Sequence, residues 1–148
     1  MKEIRCRMAD NAKDLLPTKA HDDDAAFDLK SRVSLEIPPR KSALVPTGLF
    51  LELPEGFEAQ VRPRSGLALK RCVTVLNTPG TIDAGYRGEV GVILINHGDS
   101  PFSIERGDRI AQMVIQELPK VRLVAVESLS DSERGAGGFG STGTKSLQ

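Results

Sequence analysis

A chain of 148 residues with 20 Lys plus Arg against 20 Asp plus Glu carries no formal net charge. It therefore lacks the basic excess of a protein built to wrap nucleic acid, although a local cluster of donors can still hold a small anion. The length fits one domain with its own core, and the absence of Trp weakens any stacking platform for a long single strand. Cys6 and Cys72 fit no metal spacing and form no disulfide framework, which points to reduced thiols. The start, MKEIRCRMAD, holds no apolar leader stretch, and no apolar run approaches ~18 residues. The expectation is a soluble cytoplasmic protein with no nucleic-acid partner and no membrane.

Short β-rich segments separated by Pro and Gly run along the chain. Ser34–Ile37 precedes Pro38-Pro39, and Ala43–Val45 precedes Pro46. Leu49–Leu53 reads L-F-L-E-L and runs into the turn Pro54-Glu55-Gly56-Phe57. Glu58–Arg62 and Val73–Leu76 alternate. Arg64–Lys70 is the one expected helix, a turn or slightly more. Glu89–Asn96 (E-V-G-V-I-L-I-N) is the strongest strand, closed by Asn96-His97-Gly98-Asp99. Phe102–Ile104, Arg109–Glu117 and Val121–Val126 read as the last strands. Strands about every eight to twelve residues, with turn signals between them, predict an all-β sandwich or jelly roll. From Ser130 onward the composition changes to five Gly and four Ser with hardly any core formers, the mark of a flexible arm. The expected organisation is a β domain over 1–131 and an arm over 132–148.

Several segments carry chemistry. The acids Asp22–Asp24 read as solvated, and Asp28 as a turn residue. Pro63-Arg64-Ser65-Gly66 is either an ordinary loop with a capping serine or an anion site. For the second reading, a cation, a hydroxyl and bared backbone N–H groups stand together at a helix start. Gln112 lies in a strand-like stretch, where a long amide is often simply exposed. Asn77–Gly88 (N-T-P-G-T-I-D-A-G-Y-R-G) is a long Gly-rich turn between two apolar strands, which predicts a large hairpin. It contains Asp83 and the chain's only tyrosine, Tyr86. A carboxylate in such a pocket can orient and deprotonate a water, and the ring can cover a flat ligand face. Arg134–Gly143 (R-G-A-G-G-F-G-S-T-G) nearly matches a phosphate-binding P-loop from Gly138, but Thr144 stands where the Lys belongs. Its physical content remains: exposed N–H donors, hydroxyls, the Arg134 fork and the Phe139 ring.

Together these segments resemble the trimeric dUTPase family. The five motifs are Ala25–Ser31 (AAFDLKS), Pro63–Ala68 (PRSGLA), Asn77–Asn96, Arg106–Ile115 (RGDRIAQMVI) and Arg134–Gly143, in family order across most of the chain. Phe27 departs from the frequent tyrosine, while the Asp after it is kept. The resemblance implies a jelly-roll-like β-sandwich or barrel with a Gly-rich C-terminal arm, assembled as a homotrimer with shared active sites. It implies hydrolysis of dUTP to dUMP and pyrophosphate, with Mg²⁺ as cofactor. By resemblance, Asp83 activates the attacking water, and Tyr86 packs on the deoxyribose. Asn77, with the hairpin backbone at Gly80 and Ile82, reads uracil. Arg64, Ser65, Gly66 and Gln112 contact phosphate, and Asp28 holds a water of the Mg²⁺ shell. Arg134 clamps the γ-phosphate, Phe139 closes over uracil, and Gly138, Ser141 and Thr142 make the remaining arm contacts. Asp108 and Arg109 support the site from behind. Two alternatives are a dCTP deaminase-like enzyme and a non-catalytic jelly-roll binding module. Against the first, Ile93 stands where the deaminase family carries its catalytic Glu. Against the second, Asp83, Tyr86 and Arg134 are intact.

Overall fold

Every second side chain from Val90 to Asn96 is buried, the period-two signature of a strand with one face on a core. The same logic sets the other elements in a computed structural model, which describes residues 1–146. In chain order these are β1 (Arg5–Met8), a 3-10 helix (Asp10–Leu15), β2 (Phe27–Lys30), β3 (Leu35–Ile37), β4 (Ser42–Glu52) and β5 (Phe57–Arg62). There follow α1 (Ser65–Arg71), β6 (Val73–Val75), β7 (Gly80–Ile82), β8 (Glu89–Asn96), β9 (Phe102–Ile104) and β10 (Arg109–Glu117).

One sheet has the order β1-β4-β8-β6 and the other β2-β10-β5-β7, with β3 and β9 as a separate ladder. Every pairing between these strands is antiparallel. The core includes Leu29, Val45, Leu49, Val92, Leu94 and Ile110, each essentially inaccessible. Burying one such side chain is worth roughly 1.5–3 kcal/mol. This is the expected all-β jelly roll. Where β4 passes the 3-10 helix, Gly48 has φ +74°, and a Cβ there would lie 2.5 Å from that of Ala12. Only glycine lets the two backbones come so close.

The structure corrects the expected elements in several places. β4 runs unbroken through Pro46 and joins what reads as two strands. Its ladder to β8 shifts register between Pro46 and Phe50, so the missing proline N–H falls beside an irregularity that already interrupts the bonding. β1, the 3-10 helix and β7 were not anticipated, and Asp28 sits within β2 rather than in a turn. α1 begins after Arg64, whose side chain makes no capping bond, and Ser65 is the first helical residue rather than the cap. Val121–Val126 forms no strand, because no strand edge of its own chain pairs with it. Past Leu118, among the described residues, the backbone–backbone hydrogen bonds are local turns within the arm. Of the expected arm over 132–148, positions 147 and 148 lie outside the described residues.

Candidate active site

The first group of candidate residues assembles across β2, β10 and the start of α1. Antiparallel register sets Asp28 opposite Gln112, and Gln112 opposite Arg62. The chain then turns at Pro63 and brings Arg64 back over the same row. Arg64 Nε lies 3.9 Å from Asp28 Oδ1, and Arg109 lies 3.5 Å from Asp28 Oδ2. Arg64 also donates to the Arg109 carbonyl at 3.1 Å, which fixes the guanidinium in place. The Asp28 side chain is only 15% exposed. These groups line a cleft of about 340 Å³ together with Asp24 and Ala25. The cleft sets two guanidiniums against the Asp24 and Asp28 carboxylates, so its donors can meet an anion while its acids face an accompanying cation. Ser65 and Gly66, next in sequence to Arg64, are exposed and are not among the residues that line the cleft. Asp24 departs from the solvated reading: it is half-buried, and its carboxylate accepts from the His21 amide at 2.9 Å.

The second group lies in the connection between β6 and β8, which pair antiparallel as the expected hairpin does. The connection is not free, however. Its Gly80–Ile82 segment leaves for the other sheet and pairs with Ala59–Val61 of β5 as β7. Gly80 and Ile82 are buried there, and the Asn77 amide lies against Gly80. The Tyr86 amide donates to the Asp83 carbonyl at 3.1 Å, a tight turn that carries both side chains outward. Thr81, Ile82, Asp83, Tyr86, Glu89 and Gly91 surround a pocket of about 180 Å³. The Tyr86 hydroxyl donates to the Glu89 carbonyl at 2.9 Å.

The third group belongs to the arm. Arg134, Gly138, Ser141 and Thr142 curl around a hollow of about 490 Å³. Arg134 Nε donates to the Gly137 carbonyl at 2.8 Å, and the Ser141 amide to the Gly138 carbonyl at 3.0 Å. The Phe139 ring is wholly exposed.

These three groups do not meet within one chain. Asp83 is separated from Asp28 by three strand spacings sideways and about four residues along the sheet, roughly 20 Å at standard strand dimensions. Sequence reasoning also missed two residues beside the second pocket. Arg32 and Glu89 form a two-pronged pair, at 2.6 and 3.2 Å, across 57 positions of sequence. The Arg32 hydrogen bond, helped by the Gly48 amide and opposed by partial burial, holds the Glu89 carboxyl below the usual carboxylate range. Nothing in the local pattern of either residue signals the other.

The dUTPase family model matches residues 12–143. The deoxyuridine 5'-triphosphate nucleotidohydrolase of Gloeothece citriformis is 60% identical over 132 residues, spanning 89% of this chain and 91% of that protein. Its counterpart from Clostridium tetani is 63% identical over 128 residues, spanning 86% and 88%. Among solved structures, a mutant dUTPase of Staphylococcus bacteriophage 80alpha with dUpNHpp superimposes with a TM-score of 0.88. It is 28% identical and covers 97% of this chain and 100% of that one. A mutant dUTPase of phage phi11 of S. aureus, described with a structural Mg(II) ion, gives a TM-score of 0.77 at 25% identity over 86% and 98%. With a family model spanning most of its length and relatives at 60% identity or above, the chain belongs to the dUTPase family.

Proposed function

We propose that this protein hydrolyses dUTP to dUMP and pyrophosphate, supplying dUMP for thymidylate synthesis and keeping uracil out of DNA. The observation that carries the reading is the pocket walled by Asp83 and Tyr86, in a chain of this family. Asp83 takes the proton of a water and aims it at the α-phosphorus. Pyrophosphate leaves on the far side, so attack and departure must be in line. Tyr86 packs on the deoxyribose and leaves no room for a 2′-hydroxyl. Asn77 and the backbone at Gly80 and Ile82 read uracil, and the narrow loop rejects a methyl at C5. Arg64, Ser65, Gly66 and Gln112 hold phosphate oxygens whose charge grows towards the transition state. The arm then closes: Arg134 on the γ-phosphate, Phe139 over uracil, and Gly138, Ser141 and Thr142 on the rest of the nucleotide. Closure shuts out bulk water.

Asp28 fits a supporting role toward Mg²⁺. Its carboxylate is oriented by Arg64 and Arg109, and among the described residues no cluster of three metal-ligating side chains could cage an ion. A cation at this cleft would keep its waters and take phosphate oxygens, the habit of Mg²⁺, with Asp28 holding one of those waters. When bound, Mg²⁺ neutralises charge on the triphosphate.

The assembly in this reading is a homotrimer with shared sites, and the same geometry supports sharing between chains. One triphosphate cannot reach Asp83 and Asp28 of a single chain across roughly 20 Å of sheet. Among the described residues, the arm shares no hydrogen bond with its own body beyond Leu118. Leu44 is 65% exposed on the outer face of β4, and Leu123 is fully exposed in the extended segment after β10. With Val121, Val124, Val126 and Leu129, Leu123 makes a run of exposed apolar side chains, which suits contact with another chain. Both cysteines are free, which suits the cytoplasm. No helix among the described residues is long and apolar enough to cross a membrane.

Turnover of dUTP with Mg²⁺, and again after chelation, tests the reading. Equal release of dUMP and pyrophosphate, lost on chelation, is expected. Release of ammonia or of single phosphates would overturn it.

A further inference from the structure

The β4–β8 ladder leaves a gap beside the hairpin pocket. Pro46 faces Gly91 and Phe50 faces Glu89, so four steps on β4 are matched by two on β8. The Gly48 amide therefore has no strand partner, and the Glu89 carboxylate accepts it instead at 2.8 Å. The same carboxylate takes both prongs of Arg32, whose own amide is tied to the Pro46 carbonyl at 3.0 Å. Both side chains are 27% exposed. The start of β8 is thus held by a side-chain bridge where a regular ladder would otherwise hold it.

Tyr86 rests on that start. Its hydroxyl donates to the Glu89 carbonyl, and its ring lies so close over Gly88 that any Cβ there would overlap the phenol. We propose that Arg32 and Glu89 are positioning residues for nucleotide selection: they fix the Gly88–Glu89 backbone that carries the Tyr86 ring, and so set the width of the sugar-facing pocket. This rests on the reading of Tyr86 as the sugar wall. Arg32 touches no part of the pocket and acts only through Glu89. Removing it leaves a half-buried carboxylate without its cation, free to turn towards solvent and release the backbone beneath the ring.

The chain has one tyrosine and no tryptophan, so intrinsic emission reports Tyr86 alone. The test is Arg32→Met in the full-length protein, read by acrylamide quenching and anisotropy of that emission and by kcat/KM for dUTP and UTP. The expected result is easier quenching, lower anisotropy and a dUTP/UTP ratio reduced roughly tenfold, with kcat for dUTP within about threefold of the parent. Arg32→Lys keeps the charge without the two-pronged geometry and should recover part of the ratio. Glu89→Gln keeps the volume, should move the readouts in the same direction, and serves if Arg32→Met does not fold. Unchanged emission in the folded variants would overturn the proposal, as would a freed ring with an unchanged ratio. Tyr86→Ala run beside them separates the two failures. If it also leaves the ratio unchanged, the reading of Tyr86 is at fault. If it lowers the ratio while the Arg32 variant does not, the positioning role is.

Discussion

Asp83 owes its place to a turn rather than to a strand. Its carbonyl closes the turn onto the Tyr86 amide, while Ile82 beside it is anchored opposite Ala59. The carboxylate therefore projects from a backbone fixed on both sides. Asp83→Asn preserves shape and removes the proposed base, so binding of dUTP should persist while kcat falls by ~10²–10⁴. Calorimetric binding beside single-turnover kinetics checks this. A variant that turns over within about threefold of the parent would exclude Asp83 as the base. Residues of this kind are legible in a sequence because the loop that holds them is unusual: a lone tyrosine and a lone acid among glycines. Arg32 and Glu89 are not legible. They meet only because β4 bulges at Gly48, and a bulge that pairs a turn after β2 with the start of β8 leaves no periodic trace in either segment.

Elements were readable where burial alternates over several residues, as along β5 and β8, and β10 was readable from its long apolar run although its burial does not alternate. β1 is almost wholly exposed, so its side chains carry no inside-outside contrast. β7 is three residues long and hides in a loop rich in glycine. The 3-10 helix is held from outside its own sequence. Arg106, in the turn between β9 and β10, donates to both Asp14 oxygens at 2.9 and 2.7 Å and to the Asn11 carbonyl at 2.8 Å. That fork lowers the Asp14 carboxyl from 3.8 to about 2. The folded value lies below the unfolded one, so this contact helps folding fully above about pH 4 and is lost as pH falls towards 2. Arg106→Ala should return Asp14 to ordinary carboxylate titration, visible in the carboxyl carbon shift against pH. An unchanged titration curve would show that the fork does not govern Asp14.

At the scale of the whole molecule, one chain holds all the candidate groups but keeps the Asp28 cleft and the Asp83 pocket apart. The strand expected at Val121–Val126 shows why. Its apolar residues have strand-like spacing, yet in its own chain they stay exposed, because strand propensity needs a paired edge and none of the edge strands of this chain pairs with the segment. Sequence pattern reports what a segment could pair with, not which copy supplies the partner. The arm beyond it carries Arg134 and Phe139, with Phe139 projecting wholly into solvent. A trimer that shares its sites predicts complementation between two defective chains. Deletion of 132–148 should leave a folded trimer with little activity, and Asp83→Asn should do the same by removing the proposed base. Refolded together in equal amounts, they can form sites in which the truncated chain donates Asp83 and the full-length variant donates the arm. Random assembly of a closed ring makes that roughly a quarter of all sites, if base and arm come from different subunits. If both came from one chain, every site would lack one or the other and the mixture would stay as inactive as its parts. Recovery near a quarter of parental activity in the whole mixture, or about a third in mixed trimers isolated and verified by mass, is the expected outcome. No recovery in such trimers would rule out exchange of the arm.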